Sequence, residues 1–406
     1  MNTTLLRYIL AVVLCGTTVI GRAQDSDYIV NETFETFPDG YPSSCNGWTL
    51  FGCQKRWIGK ETISAALHIE SNKDGQGVTR NGYAITKALG YGGDVYLTFR
   101  YATGKGSEKE PVVAKMRVII QGDGSFENGT KDTLMTFSNP SGSNITEYAT
   151  YRVFNVTNST TIKFYQGLID QSVVIDNVKI RKSYAITLDE SEDNSTTISS
   201  YKDKLVSATT RTITGGIWNT MCLPFRVYGD VLKLALGDNQ DIQLRTFSDY
   251  SAGVMSFSSV TEVSAGTPFL IKINETVTNP TFPVVTMKEV ATNTVTHGDV
   301  SFVGTYNPID LATDGTNLFL TTRNTLASPA SDKNRMNGMR AYIVVPSGFN
   351  PSNARIMMDD GETTAISLMP SGAEATPRAT YNLKGQRIEK ARRGLYVVNG
   401  KLTLVK

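Results

Sequence analysis

The stretch DVYLTFRYA, residues 94–102, decides the fold. Val95, Leu97, Phe99 and Tyr101 alternate with Tyr96, Thr98 and Arg100. A period of two puts one set on each face of a β-strand, whereas a helix needs apolar residues three and four apart. Outward from it the same texture recurs in VAKMRVII (113–120), TIKFYQG (161–167) and SVVIDNVKI (172–180), between clusters of Gly, Asn and Ser. Helical periodicity is nearly absent. The best helix candidate is DVLKLALG (230–237), which Gly237 stops. Many short strands punctuated by turn residues predict an all-β chain of sandwiches.

The chain has 406 residues, enough for two or three domains. Its start, MNTTLLRYILAVVLCGTTVIGRAQDSD, places Arg7 before an apolar run and small residues at Gly21 and Ala23. That pattern predicts a secretory signal over residues 1–23; the apolar run is too short to span a bilayer, and no later segment is long and apolar enough. A lipoprotein signal through Cys15 is disfavoured by Leu14, where a small residue is wanted. The segment 24–183 reads as the first β-sandwich. RKSYAITLDESEDNSTTISS (181–200) is polar and acidic in its middle, so 184–200 reads as a linker. Residues 201–364 form a second all-β unit, and 365–378 a second linker. The tail, 379–406, contains VVNGKLTL, an Asn-Gly turn between alternating residues that signals a hairpin.

Hydrophobic residues make up 40% and charged residues 19%, with a net charge of +2 and no basic run before the C-terminus. That balance argues against nucleic acid as a main partner. Beyond Cys15 there are three cysteines. Cys45 and Cys53 flank Asn46-Gly47-Trp48 at a spacing that closes a short loop, so an exported chain is expected to join them as a disulfide. Cys222, in GIWNTMCLPFRV (216–227), is the odd one out.

The pieces WNTMCLPF, AGTPFLIK, THGDVSFVGTY, MRAYIVVP and GETTAI resemble a β-rich domain of secreted proteins of Bacteroidetes bacteria. The last segment, YNLKGQRIEKARRGLYVVNGKLTLVK, resembles the sorting segment of their type IX secretion route, although only the last strands of a full sorting domain are evident. The region from Asn31 to Ile180 opens with NETFETFPDGYP and closes with VVIDNVKI. It resembles a jelly-roll module of the cleaved-adhesin and carbohydrate-binding type. The resemblance implies a secreted or cell-surface protein, with outer-membrane attachment through the tail. It also implies that the first and last strands of the jelly roll lie side by side. A carboxylate on each, here Glu35 and Asp176, would then hold a structural calcium ion.

Catalytic readings fare less well. A nucleophilic cysteine needs a base, and the two histidines, His68 and His297, lie in different expected domains. Met221, Leu223 and Phe225 around Cys222 suit a buried strand, so Cys222 and Trp218 are expected to pack in a core. Asp359 and Asp360 are adjacent, so their side chains leave a strand on opposite faces and do not make a facing pair. QGDGSFENG (121–129) lacks the Lys-Ser/Thr of a phosphate loop. Asn31, Asn144 and Asn155 sit in Asn-x-Ser/Thr triplets, and Asp132-Thr133-Leu134 resembles a bacterial O-glycosylation triplet; both signals are weak.

Trp48, Trp57 and Tyr91, in or near glycine-rich turns, are the candidate ligand contacts, because an exposed ring covers the C–H face of a sugar. The expectation is a non-enzymatic binding or adhesion protein whose jelly roll recognises a glycan or an extracellular protein, with the second domain as scaffold. The alternatives are a structural surface component without a small ligand and, behind it, a polysaccharide hydrolase or an accessory to one.

Overall fold

The computed structural model describes residues 27–58, 64–70, 72–73, 79–104, 113–138, 147–166, 172–330, 332–349, 355–359 and 363–365. In the tail it describes 380–381, 387–388, 394–398 and 401–405. The expected signal, residues 1–23, lies outside the described residues, as does the second expected linker apart from Ala365.

The N-terminal strands are β1 (Tyr28–Glu32), β2 (Ser44–Cys45), β3 (Trp48–Phe51), β4 (Cys53–Ile58), β5 (Ser64–Glu70), β6 (Asn72–Lys73), β7 (Thr79–Arg80) and β8 (Tyr83–Ile85). They continue as β9 (Gly93–Thr103), β10 (Ala114–Gln121), β11 (Ser125–Phe126), β12 (Asp132–Phe137), β13 (Tyr148–Val156), β14 (Thr161–Gln166) and β15 (Ser172–Thr187). One sheet runs β12-β10-β14-β8-β3-β2. The other is built on β9 and β15, with β13 and β11 beyond β9, and β1 and β5 beside β15. Alternation sets the faces. In β10, Ala114, Met116, Val118 and Ile120 are buried while Lys115, Arg117 and Ile119 are not. In β14, Ile162 and Phe164 are buried while Thr161, Lys163 and Tyr165 are not. The inward sets of the two sheets close one core, in which Phe34, Phe99, Trp48 and Phe164 interlock. The chain is all-β in class and opens with a jelly-roll-type β-sandwich. Its first and last strands do lie together: β1 pairs antiparallel with β15, Glu32 opposite Val178.

The expected linker 184–200 is instead structured. β15 continues through it to Thr187, and Tyr184–Thr187 pair in parallel with β16 (Leu205–Thr209). A short helix, α1 (Ser195–Ser200), occupies the rest. The polar run between them is a tied turn. Asp189 Oδ1 accepts from the Ser191 N–H and hydroxyl at 2.8 and 2.7 Å. Asn194 Nδ2 donates to the carbonyls of Asp189, Glu192 and Tyr306. Asn, Asp and Ser close turns as readily as they mark linkers, and sequence alone does not separate the two roles.

The second region has its own cores. One gathers Phe225, Phe269, Phe282 and the helix α2 (Gly229–Leu236), the helix expected from DVLKLALG, with Gly237 at φ 102° ending it. The other gathers Trp218, Phe247, Phe257 and Phe302 between a six-stranded and a five-stranded sheet. Cys222 is fully buried, donates to the Gly266 carbonyl at 3.3 Å, and has its thiol pushed up to about 12 by burial. Gly304 faces it so closely that an added Cβ would lie 2.4 Å from Cys222 Sγ. Both Cys222 and Trp218 are packing residues, as their apolar neighbours predicted. In the tail, Gly394–Val398 pairs with Lys401–Val405, placing Val398 opposite Lys401 with Asn399-Gly400 between, the expected hairpin.

Candidate functional site

The outer face of the β12-β10-β14-β8-β3-β2 sheet carries an uninterrupted row of large side chains. Phe51 on β3 stands opposite Tyr83 on β8, which stands opposite Tyr165 on β14. Tyr165 stands opposite Arg117 on β10, and Arg117 opposite Leu134 on β12. Four inter-strand steps make the row roughly 19 Å long. The inward neighbours Leu50, Ala84, Phe164 and Val118 are buried in the core, which fixes the outward direction of the row. Phe51, Tyr83 and Tyr165 are half-buried, and Leu134 is 49% exposed. The Phe51 and Tyr83 rings stack with an offset, centroids 5.7 Å apart and planes 21° from parallel. Lys163, one row over, sets its ammonium 4.3 Å from the Tyr83 centroid and 5.1 Å from that of Tyr165. Arg117 is paired with Asp132, and Asn81 Nδ2 lies 3.5 Å from the Tyr165 hydroxyl. The chemistry on offer is ring stacking edged by hydrogen-bond donors.

None of the sequence-predicted contacts lies in this row, and one is corrected outright. Trp48 is 2% exposed and stacks on Phe164 inside the core, so no ligand reaches it. The turn signal around it was right, but alternation in WTLF sends Trp48 and Leu50 inward and Phe51 outward. Tyr91 packs its ring against the same core and donates its hydroxyl to the Ser183 carbonyl at 2.8 Å. Only Trp57 keeps an open ring, 56% exposed on β4, with Lys55 Nζ 5.2 Å from its centroid. The Cys45–Cys53 disulfide is also corrected: both are free thiols. Cys53 Sγ is buried and directed at the carbonyls of Phe51 and Tyr83, at 3.3 and 3.1 Å. Burial pushes its thiol up to about 12.

Glu35 and Asp176 come within electrostatic reach of each other. Asp176 is 1% exposed, and its carboxyl is pushed up to about 6, chiefly by burial and further by the charge of Glu35. The Asn177 N–H, at 2.6 Å, and Arg100, at 3.7 Å, pull in the opposite direction. Glu35 accepts from the Ala65 N–H at 3.0 Å. Two neighbouring carboxylates with like charges suit a hard cation. Among the described residues no third His, Cys, Asp or Glu joins them, so the remaining ligands would have to be carbonyl oxygens or water.

The outer face of the other sheet holds a chain of polar groups that sequence reasoning missed. His68 Nε2 lies 2.9 Å from Ser172 Oγ, and His68 Nδ1 lies 3.6 Å from Glu70 Oε2. The order hydroxyl, imidazole, carboxylate is that of a nucleophilic triad. Here Ser172 and His68 are each 1% exposed, and Glu70 Oε1 is already bonded to Gln54 Nε2 and the Tyr41 hydroxyl. A Cβ at Gly104 would sit 2.2 Å from Ser172 Oγ, so the backbone itself covers the hydroxyl. The arrangement is a sealed polar network around a covered hydroxyl, in which His68 Nδ1 faces Glu70 at ion-pair rather than hydrogen-bond distance.

The site and the fold together define an all-β protein whose N-terminal sandwich displays an aromatic face. No protein-family model matches the chain, and no curated protein matches its sequence. Solved structures resemble part of it. The K1 cleaved adhesin domain of Lys-gingipain from Porphyromonas gingivalis W83 is 17% identical, with a TM-score of 0.26 over 38% of this chain and 98% of that one. The CBM22-1 xylan-binding domain from Paenibacillus barcinonensis Xyn10C is 11% identical, with a TM-score of 0.24 over 38% and 94%. A putative sugar binding protein from Bacteroides thetaiotaomicron VPI-5482 is 10% identical, with a TM-score of 0.26 over 38% and 100%. Function has to be argued from this chain's own residues.

Proposed function

We propose that this is a non-catalytic, extracytoplasmic binding protein whose sandwich holds an extended glycan along Phe51, Tyr83, Tyr165, Arg117 and Leu134. The observation that carries the reading is the register of that row: five outward side chains on five adjacent strands, three of them aromatic. Half-buried rings on the open face of a sheet offer flat apolar surface, and the C–H faces of successive sugars are a partner of the right shape. Lys163, Arg117 and Asn81 supply donors for sugar hydroxyls at the edge of the rings.

Trp57 serves as a separate rim contact. Glu35 and Asp176 hold a structural calcium ion, which adds to Arg100 the further positive charge that two neighbouring carboxylates call for. The second region acts as scaffold, and the C-terminal hairpin assists export or attachment to the outer membrane. The test is a glycan array probed with the whole chain and with Tyr83→Ala and Tyr165→Ala variants. The reading expects binding to chain-like glycans that both variants weaken. A folded protein that binds nothing, or variants that bind unchanged, would end it.

A further inference from the structure

A cavity lies where the sandwich meets the rest of the chain, remote in kind from the flat aromatic row. It has a volume of about 390 Å³. The sandwich contributes Tyr96 and Arg152, from the outward set of β9 and β13. The second region contributes Arg226, Tyr228, Lys288 and Val284 among others. Three cations line it and no carboxylate does, for the acidic partners of all three stand outside the lining. Arg152 is the most enclosed, its side chain 11% exposed. It donates to the Tyr228 hydroxyl at 2.5 Å and to Glu127 at 3.1 Å, yet its Nε–H has no partner among the described residues. Arg226 lies 4.9 Å and Arg152 6.0 Å from the centroid of the Tyr228 ring.

The wall is also strained. Val284 adopts φ 50°, a conformation that a β-branched residue rarely takes. A bulge in the pairing of β16 with the strand Thr281–Thr286 places it there. Its N–H reaches Ser207 Oγ at 3.3 Å, and Ser207 in turn donates to Asp94 of the sandwich at 2.7 Å. Val284 of the cavity wall is thus tied to the sandwich through Ser207 and Asp94. Backbone strain of this kind clusters at ligand sites.

We propose that this cavity binds a sugar bearing an oxyanion. An unpartnered guanidinium N–H flanked by two further cations calls for a carboxylate, sulfate or phosphate. Tyr96 gives the ring of the sugar an apolar face, while Ser264 and Thr286 supply hydroxyls. The volume falls in the range of small-ligand pockets and suits one or two sugar units.

The experiment is calorimetric titration of the whole chain with galacturonate, N-acetylneuraminate, glucose 6-sulfate and glucose 6-phosphate, with galactose as the neutral control. At least one charged sugar is expected to bind and galactose to be ignored, and binding should weaken as salt rises. The carboxylate, sulfate and phosphate arms tell the sources of the charge apart. Arg226→Gln combined with Lys288→Gln changes only exposed side chains, so it should leave the unfolding midpoint in place and weaken binding at least tenfold. Tyr83→Ala should leave this binding unchanged, which separates it from the aromatic row. Failure of every charged sugar to bind, or full binding by the double variant, overturns the proposal.

Discussion

The two outer faces of the sandwich contain similar residue types and differ in what those residues do. One presents Phe51, Tyr83, Tyr165 and Lys163 to solvent. The other holds His68, Ser172, Glu70, Gln54, Tyr41, Arg100 and Asp176, nearly all bonded to one another. The second set looks more like an active site when residues are merely named. It is closed, because Ser172 and His68 are buried against each other, Glu70 is taken up by Gln54 and Tyr41, and Gly104 lies over the serine. The first set looks bland, yet its rings and ammonium have surface to spare. A binding face is recognised by what remains unsatisfied at the surface, and residue type alone does not show this.

The largest difference between inward and outward positions is expected at the tryptophans. Trp48→Ala removes a core ring and should cost about 3–5 kcal/mol in urea denaturation. Trp57→Ala, on an exposed edge strand, should stay within about 0.5 kcal/mol. Equal costs would mean that the inward and outward assignments are wrong. On the closed face, Ser172→Ala leaves the imidazole of His68 one partner short and should cost about 1–3 kcal/mol. It should leave glycan binding untouched. A stability unchanged by this substitution would indicate that the network is dispensable and would reopen the question of its role.

On the open face, Tyr83→Ala should weaken glycan binding at least tenfold, about 1.4 kcal/mol, with little change in unfolding midpoint. Tyr41→Phe, on the opposite face, should have no effect on that binding. The smallest effect concerns pH. Asp176 has its folded-state carboxyl at about 6 against an ordinary 3.8, so it contributes stability below the lower value. That contribution is lost as pH rises through about 6. In chelator, Asp176→Asn should flatten this part of the stability-against-pH curve. Calcium should raise the melting temperature of the natural chain more at pH 7 than at pH 5, since a protonated Asp176 is a poor ligand. An equal shift at both pH values would remove Asp176 from the ion site.

Much of the architecture was legible in the sequence. The alternation in DVYLTFRYA and TIKFYQG gives the strands of the sandwich and the residues each one buries. The Asn-Gly hairpin and the helix ended by Gly237 follow from local rules. The linker at 184–200 did not, because its Asp, Asn and Ser residues tie a turn whose partners, such as Tyr306, lie far along the chain. The disulfide failed because cysteine spacing says nothing about where Cys53 points.

The aromatic row was within reach. In TIKFYQG, sending Ile162 and Phe164 inward leaves Lys163 and Tyr165 outside, and WTLF and GYAI place Phe51 and Tyr83 likewise. What sequence does not supply is the pairing that sets the three rings side by side, which depends on strand order.

The row of rings is proposed as a binding face. It is tested most directly by titrating the glycan found on the array into the natural chain and into Tyr83→Ala, Tyr165→Ala and the double variant. Successive losses of about tenfold or more are expected at constant melting temperature. Undiminished binding by the folded double variant would contradict it.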